Sequence, residues 1–348
     1  MQHAQEWFDY ILSSQWVELG NNNLIQPQRN ADGIWTLGKI TVCDQDILNA
    51  CPSSDISNLQ EFHILHDSWK AASFKIYRPL IYFCAFGKNE IFECVYTAIQ
   101  SLIEFGHWQH DIAILTSEDK KDDFQLLLLL ASLNLKKRLH LIIVPASEKI
   151  DWYISRYRID HPIFKKAQPI LYLDTDIMCD APLDELLISL INSPLIHACK
   201  EGVIDEGGPE TSGYWYGWRL MQEDHVPFNP KGFGFSSGVL LFNNTKTTQP
   251  FFDMIRRSTN GFIQKNGYNG VSYDQRFANY ILLKFKQVEI NILEKWVYLY
   301  RIPQQTTLTP SGNNKRGLVH FLNSSTENKL ITMKKYLNDL RFRAKYNN

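Results

Sequence analysis

Two aspartates, Asp174 and Asp176, follow directly on the unbroken apolar run Ile170–Leu173. An apolar run of this length is typical of a strand that is covered on both faces, as in a parallel sheet. In an extended backbone residues i and i+2 point to the same side, so the two carboxylates are expected to lie close together. Close carboxylates repel each other unless a cation lies between them, and oxygen ligands suit Mn²⁺ or Mg²⁺. Because open α/β sheets bind ligands at the carboxyl ends of their strands, the pattern predicts a metal site there.

Two other interpretations of the acids stay open at this point. A single Asp-x-Asp also occurs in solvated turns and helix caps, but the buried strand before it and the helix start expected after Cys179 favour a metal site. A strand followed by two acids is also found in phosphatases of the haloacid dehalogenase type, where the first aspartate is a nucleophile. That motif normally has Thr or Val at the place of Met178, and it normally lies near the start of its domain.

The segment before the acids alternates between predicted strands and helices. This order implies βαβ crossovers, and hence a mostly parallel central sheet with helices on both faces. No GxGxxG follows a strand, and no GxxxxGK[ST] occurs in the chain, so phosphate would have to be bound by a metal and by basic side chains. The predicted strands are Leu80–Phe86, Asp111–Thr116 and Leu139–Val144, and the predicted helices are Ile91–Phe105, Asp122–Leu135 and Ser155–Lys166.

The sequence divides into three expected parts. Residues 1–76 form an N-terminal extension or small subdomain, and residues 77–325 form an α/β catalytic domain with a nucleotide-binding half (77–180) and an acceptor half (181–325). A basic helix over residues 326–348 completes the chain. Its apolar stripe, which includes Leu330 and Leu337, favours a helix docked on the domain with a solvated basic face. The alternative is peripheral contact with an anionic membrane surface.

Composition narrows the function classes. The chain has 348 residues, 44% hydrophobic and 21% charged, and a net charge of −1, which is typical of a globular protein with no general attraction to nucleic acid. No apolar run approaches the roughly 18 residues of a membrane span, and no signal peptide is recognisable at the N-terminus. Six cysteines without a CxxC pair fit a reducing environment. We therefore expect a cytoplasmic protein, with the inner membrane face as the alternative location.

Three later segments also carry small, acidic or histidine residues. The segment Gly234–Asn243 begins with small residues, which allow close approach to the backbone, and its part Val239–Phe242 is a predicted buried strand. Asp274 and Gln275 open a predicted helix, and His320 lies in a late apolar strand.

The segment between residues 201 and 231 contains a cluster of aromatic residues. They suit either stacking on sugar rings or a local core, and they are Tyr214, Trp215, Tyr216 and Trp218.

These segments, in this order, resemble the glycosyltransferases of the GT-A fold, and family 8 in particular. The resemblance runs from about Leu80 to about His320 and is carried by ILYLDTDIM, FSSGVLLFN, the Asp-Gln of YDQRFAN, and VHF. It implies that Asp174, Asp176 and His320 bind Mn²⁺ (or Mg²⁺), which in turn binds the diphosphate of a nucleotide-sugar donor. The family usually follows its histidine with a lysine motif, whereas this chain has no lysine until Lys329.

The resemblance also implies roles for other residues. Asp274 and Gln275 would orient the transferred sugar as catalytic residues, and Ser236, Ser237 and Gly238 would lie near it. Thr175 belongs to the same donor site, Arg158 would contact the donor, and the strand end at Ala85, Phe86 and Asn89 would receive the base and ribose. Lys88 is more simply a surface charge.

The expected function is transfer of a sugar from a nucleotide-diphosphate sugar, such as a UDP-hexose, to a saccharide, a glycolipid or a protein. An inverting reaction would need a base such as Asp274 or Asp224, whereas a retaining reaction would place Gln275 near the reacting face. Two alternatives remain: a non-catalytic protein that binds nucleotide sugar or glycan, suggested by the absent lysine, and the dehalogenase-type phosphatase.

Overall fold

The computed structural model describes residues 77–123, 138–205, 215–267, 274–302 and 317–346, together with the backbone of five strands before residue 77. Three of these strands form one antiparallel sheet and two form a hairpin. Their bounds are β1 Gln28–Arg29, β2 Ile34–Leu37, β3 Ile40–Cys43, β4 Glu61–His66 and β5 Lys70–Lys75.

A seven-stranded sheet forms the centre of the described structure, with the strand order β13-β11-β12-β9-β6-β7-β8. Strand β12 runs antiparallel to both of its neighbours, and all the other pairs are parallel. This confirms the predicted α/β class with a mostly parallel sheet. The bounds are β6 Leu80–Cys84, β7 Asp111–Thr116, β8 Leu139–Ile143, β9 Ile170–Leu173, β11 Ile196–Val203, β12 Phe233–Phe242 and β13 Val288–Glu289.

Helices cover both faces of this sheet. In β6, Ile81 and Phe83 point into one apolar core and Leu80 and Tyr82 into the other, as the two-residue period of a strand requires. Helices α1 and α8 contribute to the first core, and α6 and α7 to the second. The helices are α1 Asn89–Glu104, α2 Lys149–Ile154, α3 Pro162–Lys166, α4 Asp184–Leu190, α5 Trp218–Glu223, α6 Thr245–Asn266, α7 Gln275–Lys284 and α8 Thr326–Tyr346.

A second, three-stranded sheet positions the residues that follow the acids. It has the order β10-β15-β14, with bounds β10 Ile177–Cys179, β14 Val297–Arg301 and β15 Leu318–Leu322. Strand β10 begins directly after Asp176, and its Ile177 pairs with His320 in β15. The late histidine therefore lies beside the two acids because of strand pairing.

The single helix predicted over Ser155–Lys166 is wrong. Helix α2 ends at Ile154, a short 3₁₀ turn covers Ser155–Tyr157, and Arg158 is extended with ψ of 91°. A new helix, α3, starts at Pro162 after an extended His161. The residue before a proline is sterically disfavoured in helical geometry, which explains the break. The helix predicted over Asp122–Leu135 lies mostly outside the described residues.

The C-terminal helix α8 docks on the domain. Its residues Leu330, Met333, Tyr336, Leu337 and Leu340 are buried in the same core as α1. Lys334 pairs with Glu93 of α1, and Arg341 pairs with Glu104 of α1. The division of the chain into residues 1–76, 77–325 and 326–348 stays a prediction. Among the described helices, none is long and apolar enough to cross a membrane.

Candidate functional site

A cleft of about 410 Å³ opens at the carboxyl ends of β6 and β9. The end of β6, helices α1 and α2, the turn after β9 and the first turn of α8 form its walls. Its lining residues are Cys84, Phe86, Lys88, Ile91, Cys94, Lys149, Trp152, Tyr153, Arg156, Tyr172, Asp174, Thr175, Asp176, Thr326 and Lys329. The predicted acids therefore face a cavity of the size that small ligands occupy.

Asp174 and Asp176 lie on a turn between two strands, not on one extended strand. The backbone N–H of Ile177 donates to the carbonyl of Asp174 at 3.2 Å, and β10 begins at Ile177. The expectation that the two acids alternate along an extended backbone is therefore wrong. They nevertheless converge: one ligand atom from each of Asp174, Asp176 and His320 lies within 4.8 Å of the others.

Gly238 allows this convergence. A Cβ atom at this position would lie 2.6 Å from Cε1 of His320 and 2.7 Å from Oδ2 of Asp174, closer than real Cβ contacts. The backbone carbonyl of Gly238 also accepts a hydrogen bond from the N–H of Asp174 at 2.8 Å. The small residues of this strand therefore make room for the acid and the histidine, as well as for any ligand.

Asp176 is buried between a histidine and a lysine. Nε2 of His320 lies 3.3 Å from its Oδ1, and Nζ of Lys329 donates to its Oδ2 at 2.6 Å. Burial alone would raise the pKa of Asp176, but Lys329 and His320 outweigh it and lower the pKa well below its usual range. Burial likewise opposes the charge of Lys329, and Asp176 raises the pKa of that lysine.

Sequence reasoning missed Lys329. The lysine that the family usually has soon after its histidine is absent from this chain, but Lys329 in the first turn of α8 contacts Asp176. Lys329 and Met333 are four residues apart, so they lie on the same side of the helix, and Met333 is buried. This spacing places Lys329 on the buried side of α8, but it does not identify Asp176 as the partner of the lysine.

Arg156, and not the predicted Arg158, contacts the acids Asp174 and Asp274. Its Nη1 lies 3.2 Å from Oδ1 of Asp174, and its Nε lies 3.5 Å from Oδ2 of Asp274. Burial would lower the pKa of Arg156, but Asp174 and Asp274 raise it well above its usual value. Arg158 instead lies 3.8 Å from Asp151 and does not line the cleft. The predicted contact of Arg158 with the donor rested on spacing along the chain and stays a prediction, whereas Arg156 is a lining residue of the cleft.

Arg156 also connects the acids to the strand of small residues. Its Nη1 donates to the carbonyl of Ser237 at 2.9 Å and to its hydroxyl at 3.2 Å. Asp274, at the start of α7, accepts a hydrogen bond from Tyr157 at 2.6 Å and is 3% exposed. One buried guanidinium thus binds the Asp-x-Asp turn, β12 and the Asp-Gln segment together.

Gln275 lies in the same network. Its Oε1 accepts a hydrogen bond from the backbone N–H of Ser237 at 3.1 Å, and its Nε2 donates to Glu201 at 2.7 Å. The hydroxyl of Ser236 accepts a hydrogen bond from the N–H of Gly238 at 3.3 Å. Gln275, Ser236, Ser237 and Gly238 are therefore neighbours, as their predicted common role requires.

The strand end after β6 contributes Phe86 and Lys88 to the cleft. The rings of Phe86 and Trp152 are nearly parallel, with 5° between their planes and 6.5 Å between centroids. Ala85 is fully buried, and its N–H donates to Leu115, while Asn89 is an exposed first residue of α1. Neither of the two lines the cleft. Thr175 does line it.

The aromatic cluster divides between the two interpretations. Tyr216 is 8% exposed, and a Cβ at Gly234 would lie 2.2 Å from its ring, so Tyr216 packs as part of a local core. Trp215 is 49% exposed and is available to a ligand. Tyr214 lies outside the described residues.

The donor set fits a divalent metal. Two carboxylates and an imidazole are typical ligands of Mn²⁺. Oδ1 of Asp176 and Nδ1 of His320 are buried and make no hydrogen bond within the described structure. Buried polar atoms without partners are rare in folded proteins, and an ion bound between these side chains would give the carboxylate oxygen a partner.

Fold and site together are those of a GT-A glycosyltransferase. The sequence profile of glycosyl transferase family 8 matches residues 144–326, and the chain belongs to this family. The match spans α2, the Asp-x-Asp turn, β12, Asp274–Gln275 and His320. A search of curated proteins gave no significant match.

Solved glycosyltransferase structures are similar at low identity. Mouse xyloside xylosyltransferase 1 is 15% identical with a TM-score of 0.42, covering 64% of this chain and 87% of that one. The galactosyltransferase LgtC, in complex with donor and acceptor sugar analogs, is 12% identical with a TM-score of 0.45, covering 74% and 95%. The bifunctional glycosyltransferase WbbM is 14% identical with a TM-score of 0.49, covering 79% and 55%.

Proposed function

We propose that this glycosyltransferase is metal-dependent and uses a nucleotide-diphosphate sugar, a UDP-hexose in the first instance, as its donor. The acceptor would be a saccharide, a glycolipid or a protein. The observation that carries the proposal is the convergence of Asp174, Asp176 and His320 within 4.8 Å at the edge of the cleft. Nucleotide-sugar transfer needs a cation at that place, because the leaving diphosphate is strongly anionic.

The three ligands would bind Mn²⁺ or Mg²⁺ beside the diphosphate. Bound there, the ion would act as a Lewis acid on the departing oxygens, a contribution of several kcal/mol. Lys329 supplies a second positive charge at the same edge, since its ammonium already lies 2.6 Å from Asp176. In the donor complex this ammonium would also bind a diphosphate oxygen. Lys88 and Lys149, which line the cleft as well, would add to the positive potential.

The nucleoside would occupy the part of the cleft next to Phe86 and Trp152. Their nearly parallel rings provide an apolar wall for a planar base. Trp152 is fixed in place because it packs against Gly87, whose hypothetical Cβ would lie 3.0 Å from its ring. Thr175, between the two acids, would face the donor from the opposite wall.

The sugar would lie towards Ser236, Ser237, Gly238, Asp274 and Gln275. The state of Asp274 bears on the stereochemistry, because an inverting reaction needs a free carboxylate to accept the acceptor proton. Asp274 is instead buried and bound by Tyr157 and Arg156. Asp224 is exposed, contacts Lys284 and Tyr280, and does not line the cleft. With neither acid placed as a base, we propose retention, with Asp274 as a positioning residue.

The non-catalytic alternative was motivated by the absent lysine, and Lys329 removes that motive. Membership in the glycosyltransferase family leaves no support for the dehalogenase-type phosphatase. The alternative of membrane contact was based on the basic face of α8. Two of its cations, Lys334 and Arg341, already pair with α1, which favours the docked helix.

A panel of nucleotide sugars tests the proposal. Each would be incubated with the full chain, with Mn²⁺ or with a chelator, while thermal stability and release of nucleoside diphosphate are followed. We expect one sugar to give a Mn²⁺-dependent shift and slow hydrolysis, and Asp176→Asn to lose both. Binding without any release, even with candidate acceptors, would support the non-catalytic alternative. No response to any nucleotide sugar would contradict the proposal.

A further inference from the structure

A second cavity, of about 950 Å³, lies between α3 and α6, and we name it the α6 cavity. Its lining residues are Ile159, Asp160, Lys165, Thr245, Lys246, Gln249, Pro250, Asp253, Met254, Arg256 and Arg257. Its volume is within the range of small-molecule sites. None of these residues lines the cleft that contains the Asp-x-Asp turn.

The α6 cavity lies at the opposite edge of the sheet from that cleft. Phe242, the last residue of β12, pairs with Ile170, the first residue of β9. Helix α6 follows β12 and therefore begins at the amino-terminal edge of the parallel strands, and α3 precedes β9 and therefore ends at that edge. The two acids lie at the carboxyl-terminal edge. A ligand in the α6 cavity is therefore distinct from the donor and from an acceptor that reacts with it.

The cavity carries an excess of positive charge. Four of its lining residues are basic and two are acidic. Lys165, Lys246 and Arg257 make no ion pair with any residue that the structure describes, whereas Arg256 lies 3.1 Å from Asp253.

One lining cation has a buried donor that is not used. The Nε atom of Arg256 is buried and has no hydrogen-bond partner among the described residues. Neighbouring cations with an unused donor are unfavourable by themselves and are relieved by an anion. Guanidinium and ammonium groups bind phosphate through short, charge-assisted hydrogen bonds.

The remaining lining residues suit the polyhydroxylated part of a ligand. Asp160, Asp253 and Gln249 provide oxygen acceptors for hydroxyl groups. Ile159, Pro250 and Met254 provide apolar surface for the C–H faces of a sugar ring. We propose that the α6 cavity is a second binding site, for a phosphorylated saccharide.

The segment 149–166 connects the two sites. Trp152, Tyr153 and Arg156 face the first cleft, and Ile159, Asp160 and Lys165 face the α6 cavity. Occupancy of the α6 cavity would therefore act on the same short segment that positions Arg156 beside Asp174.

Titration calorimetry on the chelator-treated full chain tests the proposal with three probes: inorganic phosphate, glucose 6-phosphate and glucose. We expect the sugar phosphate to bind more tightly than phosphate, and glucose not to bind. Lys246→Ala combined with Arg257→Ala removes two exposed cations of the cavity. The double variant should bind phosphate and glucose 6-phosphate about tenfold more weakly, or weaker still. Each charge-assisted hydrogen bond contributes on the order of 1.5 kcal/mol or more.

Two control variants locate the site. Lys265→Ala removes an exposed cation from the far end of α6 and should leave the affinities unchanged. Lys329→Ala removes the cation of the other cleft and should also leave them unchanged. The proposal is overturned if the wild-type chain binds neither anion, if glucose binds as well as glucose 6-phosphate, or if Lys329→Ala has the effect expected of the double variant.

Discussion

The two aspartates of one turn have different surroundings. Asp174 is held by residues of the nucleotide-binding half: the hydroxyl of Tyr172 donates to it at 2.5 Å, and Arg156 lies at 3.2 Å. Asp176 is held by residues from the end of the chain, His320 at 3.3 Å and Lys329 at 2.6 Å. The side chain of Asp174 is 27% exposed and that of Asp176 is 13% exposed.

From this difference we expect the two acids to act in different parts of the proposed reaction. Through Arg156, Asp174 is connected to Asp274 and Ser237, the residues proposed to surround the sugar. Asp176 is connected to the lysine and histidine proposed to meet the diphosphate and its metal. The turn therefore joins two networks, and substitutions in one network should not have the effects of substitutions in the other.

The largest effect is expected from Arg156→Met, which breaks the Asp174 network. It leaves two carboxylates, Asp174 and Asp274, beside one another without their cation. Loss of one partner from a buried ion pair costs about 3–5 kcal/mol of unfolding free energy. Urea denaturation would measure it, with Arg158→Met as the matched control, because Arg158 has only a longer contact with Asp151. Equal losses in both variants would contradict the network.

Gly238→Ala should disturb both networks at the point where they meet. The added methyl would lie 2.6 Å from His320 and 2.7 Å from Asp174, so one of them must move. Overpacking of this kind costs about 1–3 kcal/mol of stability, and displacement of a ligand should weaken Mn²⁺ binding. Gly261→Ala is the control, since its Cβ would meet nothing within 4 Å. An unchanged Mn²⁺ affinity in Gly238→Ala would show that Asp174 and His320 do not bind the metal.

Lys329→Met should affect the Asp176 network alone. We expect nucleoside diphosphate to bind about tenfold more weakly, because one charge-assisted hydrogen bond is lost. Mn²⁺ should bind at least as well as before, since the ammonium no longer competes for Oδ2 of Asp176. Calorimetric titration with each ligand separates the two effects. Weaker Mn²⁺ binding with unchanged nucleotide affinity would reverse the roles given to the lysine and the acid.

The smallest effect is expected from Lys334→Met, in the next turn of α8. Lys334 pairs with Glu93, and both side chains are about half exposed. Exposed pairs of this kind contribute about 0–1 kcal/mol. Thermal unfolding should therefore show a shift near zero and nucleotide affinity should not change. A nucleotide effect as large as that of Lys329→Met would mean that the basic face as a whole, and not one lysine, binds the ligand.

The sequence was sufficient where a local pattern determines the structure. The buried run Ile170–Leu173 and the alternating segments before it predicted the parallel strands and the edge at which the acids lie. The pairing of Asp174 with Asp176 followed from their spacing, although the backbone forms a turn there. The small residues before Val239 were also recognised as a place of close approach.

Long-range packing decided what the sequence did not show. Lys329 reaches Asp176 only because α8 folds back onto α1, and no local pattern reports that return. Arg158 was favoured by its spacing from the acids, whereas the structure places Arg156 of the 3₁₀ turn Ser155–Tyr157 against Ser237 and Asp174. Both differences concern cations, whose partners lie far away in the chain, whereas both acids were identified from their own neighbours.

Mn²⁺ binding by the full chain tests the central claim most directly. Electron paramagnetic resonance of free Mn²⁺ would be followed during titration of chelator-treated wild type, Asp176→Asn and the control Asp224→Asn, each with nucleoside diphosphate. We expect one tight Mn²⁺ in wild type and in the control. Asp176→Asn should bind Mn²⁺ at least about a hundredfold more weakly than wild type. Replacing a residue that only hydrogen-bonds to a metal ligand already lowers metal affinity by about 10–100-fold, and Asp176 is proposed as a ligand itself. Equal Mn²⁺ affinity in all three proteins would contradict the assignment of Asp174, Asp176 and His320 as the metal site.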